Sequence, residues 1–217
     1  MRVFEQRRKL AASLPAAALL LLTAPAPPLR AGAMTDDKTA ASDAPRRDEW
    51  PRFELSLETA ALFGLNNPAD YQTLPQLLTL RWEPSRPWHF GEFRLHGQWL
   101  ASAAAVAFTH GGEHHYFAGG IGGRTYLTKP DARWSLFFDG RFYVGAIDSK
   151  GPPYGQGQDL TFSVVGTLGV DYKVTPRVKV GAAFMYEHFS NANLSEPERP
   201  NIGLDTIGPN LSVSYDF

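Results

Sequence analysis

Three residues near the C-terminal end have the types that nucleophilic hydrolysis requires. His188 and Ser190 stand two positions apart, and Asp205 follows a Pro-containing loop. A serine hydroxyl is a weak nucleophile until a base takes its proton. The base in turn needs a carboxylate to hold its tautomer and stabilise its cation. In that scheme Ser190 attacks, His188 is general base and then general acid, and Asp205 orients the imidazole. Asn191 and Asn201 are candidates to donate to the oxyanion or to support the intervening loop. The competing explanation is plain: His-x-Ser is a short and common pair, and Asn, Ser and Pro populate loops because they make turns. What separates the two is whether the elements carrying these residues bring them to one surface.

The chain has 217 residues, a formal charge of −1 and no cysteine. Near-neutrality without a basic stripe removes the electrostatic case for nucleic acid. The absence of cysteine excludes disulfides, thiolate metal sites and a thiol nucleophile. Residues 1–33 read as a signal peptide. Arg2, Arg7, Arg8 and Lys9 are its positive region, Leu10 to Leu22 its apolar stretch, and Ala31-Gly32-Ala33 its small-residue cleavage pattern. Residues 34–49 are polar and read as a flexible leader, leaving residues 50–217 as the folded body.

That body shows eight stretches of period-two alternation and no apolar run long enough for a membrane helix. They begin at Phe53, about Gln76, Phe90, His115, Trp134, Leu160, Arg177 and Thr206. Short connections at Pro84–Pro87, Lys129–Ala132 and Thr175-Pro176 alternate with longer ones at 66–74, around Gly111, at 148–158 and at 191–204. Short turns on one side and long loops on the other are the layout of an outer-membrane barrel. The expected fold is therefore all-β, an eight-stranded antiparallel transmembrane barrel. A soluble lipocalin-like barrel is the alternative. The polar face carries both signs, as in Glu54, Glu58, Asp139, Arg141, Asp171 and Lys179, which can pair inside a narrow lumen. Phe217 after Leu211, Val213 and Tyr215 also resembles the closing signature of outer-membrane barrels.

Alternation then places the chemistry. His188 and Ser190 share parity with Val180 and Phe184, and Asp205 shares it with Ile207, Leu211 and Val213. In a membrane barrel that is the outer, lipid-facing wall. From Val178 to Ser190 the strand runs roughly 40 Å, or roughly 28 Å of height once tilted, against an apolar band of about 25 Å. The pair is thus expected at the headgroup rim. A hydrolytic site there calls for a substrate lying in the membrane, and the reaction class is hydrolysis of a lipid ester.

His188-Phe189-Ser190-Asn191-Ala192 followed by Asn201-Ile202-Gly203-Leu204-Asp205 resembles the lipid A 3-O-deacylase (PagL) family of outer-membrane enzymes. The resemblance implies an eight-stranded barrel in the bacterial outer membrane. It also implies removal of the ester-linked acyl chain at the 3-position of lipid A by a Ser-His-Glu triad on the outer surface, with lipopolysaccharide as partner and no cofactor. The family's His-x-Ser-Asn falls on His188, Ser190 and Asn191, and its Asn-x-Gly-hydrophobic-acid segment on Asn201, Gly203, Leu204 and Asp205. The acid here is Asp rather than Glu, one methylene shorter. Three other readings compete: a structural or adhesive barrel without activity, a hydrolase of another lipid ester, and a metal site on His110, His114 and His115. Incidental loop histidines are the simpler account of the last, since no second cluster supports it.

Overall fold

A computed structural model describes residues 53–65, 70–83, 87–150 and 155–217. The expected signal peptide and leader lie outside the described residues. Within them, period two in the sequence becomes inside against outside. In β1 (Phe53–Ala60), Glu54, Ser56 and Glu58 are buried while Phe53, Leu55 and Leu57 are exposed. The same alternation runs through β2 (Leu62–Leu65), β3 (Gln72–Trp82), β5 (Phe93–His110), β6 (His115–Thr128), β7 (Trp134–Ile147), β8 (Leu160–Lys173), β9 (Val178–Ser190) and β10 (Leu204–Asp216). A three-residue β4, Trp88–Phe90, completes the set.

All pairings are antiparallel, and β1 pairs with β10 as well as β3, so the sheet closes on itself. Two staves are interrupted. β1 and β2 keep one register against β10, from Glu54↔Asp216 to Leu65↔Asp205. The gap falls at Ala61, whose N–H reaches Pro209 O at 3.1 Å while the proline has no N–H to return. β3 and β4 both lie along β5 and form another stave. Among the described residues, ten strands therefore make eight staves.

One connection differs from the sequence reading. Of the connection expected at Pro84–Pro87, residues 84–86 lie outside the described residues, and a two-residue turn stands at Gly91-Glu92, where Phe90 pairs with Phe93. Gly91 has φ 56°, the left-handed conformation that a two-residue hairpin loop demands and glycine adopts without penalty. Turns at Lys129–Ala132 and around Thr175 fall where expected, the second held by Thr175 Oγ1 accepting from Arg177 N and Val178 N.

The lumen is filled. Arg81 contacts Glu54 and Glu58, Arg141 contacts Glu58 and Asp139 at 2.8 and 2.7 Å, and Arg124 contacts Asp139 at 2.7 Å and Asp171 at 3.3 Å. Lys179 closes the network on Glu54 and Asp216. His96 stacks on Tyr126 and lies 3.1 Å from Glu83 Oε1. Toward the long-loop end the filling becomes aromatic, with Tyr71, Phe108, Tyr116, Ile147, Phe189 and Leu204 packed together. Large apolar side chains such as Leu57, Ile121, Phe138, Leu168, Phe184 and Leu211 cover the outer wall. Charge inside and apolar surface outside invert a soluble barrel and fit a bilayer, so the chain is a transmembrane β-barrel.

Removing one member of a buried charge network strands its partners. Arg141→Met leaves Glu58 and Asp139 without that cation and is expected to lower stability by about 3–5 kcal/mol. Urea unfolding in lipid bilayers measures this, and an unchanged midpoint would show that the network relaxes at no cost.

Candidate active site

The site is built by what lies between its residues. Phe189 separates His188 from Ser190 in β9 and points inward, fully buried against Phe108 and edge-on to Tyr116 at 5.2 Å. With Phe189 clamped in the lumen, strand geometry turns both neighbours outward. β10 begins at Leu204, which pairs with Phe189 and is also fully buried. Asp205 is therefore outward too, and it stands directly across the ladder from His188.

His188 Nδ1 donates to Asp205 Oδ1 at 2.8 Å, with the two side chains 37% and 39% exposed. An Nδ1–H held by a carboxylate leaves Nε2 unprotonated and available as a base. A direct cross-strand pair is close enough that the shorter aspartate reaches the ring. Tyr186, one outward position below His188, donates its hydroxyl to the same Asp205 oxygen. Gly203 lies against the other side of the ring, and a Cβ there would stand 3.1 Å from His188 Cε1.

Ser190 ends β9. Its Oγ accepts from Ala192 N at 3.1 Å and from Asn201 Nδ2 at 3.0 Å. Ala192 and Asn193 have φ of 56° and 63° and make a tight turn in which Leu194 N reaches Asn191 O. A left-handed alanine costs roughly 1–2 kcal/mol, and this one delivers a backbone N–H to the serine oxygen. Among the described residues no hydrogen bond joins Ser190 to His188; they share a face at adjacent outward positions.

The two asparagines separate. Asn201 reaches Ser190. Asn191 has lumenal parity and is fully buried, with its Nδ2 donating to Gln156 O and, at 2.7 Å, to Ser195 Oγ. Its side chain thus supports the loop rather than facing Ser190, and its backbone N–H donates to Asn201 Oδ1 at 3.2 Å. Parity alone could have assigned Asn191 inward. Tyr186 was also visible by parity, as the next outward residue. Gln156 carried no signal, because its contacts cross between loops.

The family model described as lipid A 3-O-deacylase (PagL) matches residues 76–214. Among solved structures, the outer membrane enzyme PagL is similar at 18% identity, covering 76% of this chain and 98% of that one, with a TM-score of 0.48. Neisserial surface protein A (NspA) is similar at 12% identity, covering 76% and 95%, with a TM-score of 0.41. The β domain of the Bordetella autotransporter BrkA is similar at 12% identity, covering 78% and 81%, with a TM-score of 0.42. No curated relative matches the chain.

Of the loop histidines, two converge on one carboxylate. Asp148 accepts from the backbone N–H groups of His114 and His115 at 2.8 and 3.0 Å and contacts the His114 ring at 2.7 Å. Among the described residues no group of three or more His, Cys, Asp or Glu is arranged to hold a metal. Partial burial disfavours the Asp148 anion, but the donors from His115 and His114 outweigh it and hold the carboxyl down at about 2. An ordinary aspartate titrates at about 3.9. The loop contact therefore stabilises the fold fully above that value and loses its contribution as pH falls through about 2. Carboxyl NMR titration is expected to find Asp148 ionised at pH 3, and an ordinary midpoint would mean the N–H contacts do not persist in solution.

Proposed function

As the chain belongs to the lipid A 3-O-deacylase (PagL) family, we propose that it hydrolyses the ester-linked acyl chain at the 3-position of lipid A with Ser190, His188 and Asp205. The reading places these residues on the lipid-facing wall, at the level of the outer-leaflet headgroups. The observation that carries it is the His188–Asp205 pair, joined across the ladder at 2.8 Å on the same outward row as Ser190.

Each atom has a task. Substrate binding draws Ser190 and His188 together, since catalytic hydrogen bonds tighten in the substrate complex. His188 Nε2 takes the Ser190 proton as Oγ bonds to the ester carbonyl carbon. Negative charge collects on the carbonyl oxygen, which shares its carbon with Oγ. Ala192 N–H and Asn201 Nδ2, which already converge on Oγ, are the nearest donors for it. Collapse breaks the ester C–O bond, and His188 passes its proton to the departing sugar oxygen. Water, deprotonated by His188, then attacks the acyl carbon; the C–Oγ bond breaks, His188 returns the proton to Ser190 Oγ, and the fatty acid is freed. Asp205 keeps Nδ1 protonated and steadies the imidazolium, and Tyr186 fixes the carboxylate that does so.

The outward placement suits this substrate. A lipid cannot enter a lumen filled with ion pairs, but it can diffuse laterally to a site on the wall. Apolar Phe162 and Val164 pair with Ser190 and His188 across β8 and offer acyl chains a surface beside the nucleophile.

Mass spectrometry of lipid A from cells expressing the wild type is expected to show loss of one 3-hydroxyacyl chain, and none with Ser190→Ala. Asp205→Asn should lower kcat by about 10⁴-fold by presenting the wrong tautomer. Asn201→Ala should lower it by about 10²–10³-fold. Intact lipid A beside a folded wild-type barrel would sink the substrate assignment and point to another lipid ester.

A further inference from the structure

We propose that Gln156, in the loop after β7, is a positioning residue for the site; this rests on the reading of Ser190 and His188 above. Gln156 is fully buried although it belongs to a long loop. Its Nε2 donates to Ile202 O at 2.5 Å, and its own carbonyl accepts from Asn191 Nδ2. Next to it, Gly155 O accepts from Ile202 N at 3.3 Å. The Ile202 peptide is thus gripped on both its N–H and its C=O by residues 155 and 156.

That peptide matters because of its neighbours. Asn201 precedes Ile202 and holds Ser190 Oγ, while Gly203 follows it and lies against the His188 ring. A second route runs from the Gln156 carbonyl through Asn191 Nδ2, then from Asn191 N–H to Asn201 Oδ1. Both routes end on the residue that donates to the nucleophile.

The loop is shaped and anchored for this contact. A Cβ on Gly155 would overlap Ser149 Oγ and Glu113 Oε1, and one on Gly157, where φ is 71°, would stand 2.6 Å from Ser195 Oγ and 2.8 Å from Pro200 O. Gly155 thus lets the loop lie close to Ser149 and Glu113, and Gly157 lets it lie close to residues 195–200. Behind it, Gln156 N donates to Ser149 Oγ, Ser149 Oγ donates to Glu113 Oε1 at 2.7 Å, and Tyr71 OH donates to Glu113 Oε2 at 2.7 Å. All are buried, so Gln156 couples the site to the aromatic closure of the lumen.

The test is a double-mutant cycle in purified, reconstituted barrel with lipid A as substrate. Gln156→Met keeps the volume and the backbone contacts but removes the donor to Ile202 O. It is expected to lower kcat by about 10²-fold, as misplacement of reacting groups does, with KM nearly unchanged and heat-modifiable migration intact. In an Asn201→Ala background the same change should cost less than about twofold, since neighbours acting through one group are non-additive. Gln156→Ala serves in the same cycle if the Met variant does not fold. Wild-type kcat in these variants, or an undiminished loss in the Asn201→Ala background, overturns the positioning role while leaving the triad standing. Activity retained by Ser190→Ala in the same assay overturns the triad and this inference with it.

Discussion

A shift of one residue between β9 and β10 would take Asp205 out of register with His188 and turn its carboxylate into the lumen. Everything at the site depends on that register. It is set by what the same strands bury: Phe189 and Leu204 meet inside at the loop end, and Lys179 meets Glu54 and Asp216 at the turn end. Slipping the ladder would expose buried charge to lipid at one end and break an aromatic cluster at the other. The inward half of each strand thereby specifies where the outward half stands.

The lumen performs this task at little net gain in stability. Burying Arg81, Arg124 and Arg141 with Glu58, Asp139 and Asp171 removes all of them from water, and their mutual attraction roughly balances that desolvation. The wrong pairings are what the network penalises. Arg124, for example, spans β6, β7 and β8 through Asp139 and Asp171 while its guanidinium lies 3.8 Å over the Phe137 ring. Those contacts are satisfied together only in one arrangement of three strands.

Most of the fold was legible because period two is a property of the chain itself. The extent of β8 follows from alternation alone, and the outward parity of His188, Ser190 and Asp205 needs only counting. Less local features were hidden. Arg81 and Arg124 meet Glu54 and Asp139 directly across the β1–β3 and β6–β7 ladders, a pairing that counting along one strand does not set. The hairpin at Gly91 was masked by the nearby prolines, which mark a break without marking which way the chain turns. Gln156 and Asn191 meet at a separation of 35 residues, and no local pattern encodes a contact between loops. The site proper belongs to the legible part and its scaffold to the rest.

Inside-outside alternation has a consequence for how such a chain changes over time. Two messages are interleaved in each strand, one read by the lumen and one by the surroundings, with almost no shared letters. Outward positions beside Ser190 and His188, such as Phe162 and Val164, lie on the face opposite the buried charges and can be exchanged among apolar types while the barrel keeps its register. The outer wall beside the site can therefore drift quickly on an architecture that stays still. Where the two messages do meet, in the loops that join site to lumen, variation should be slowest.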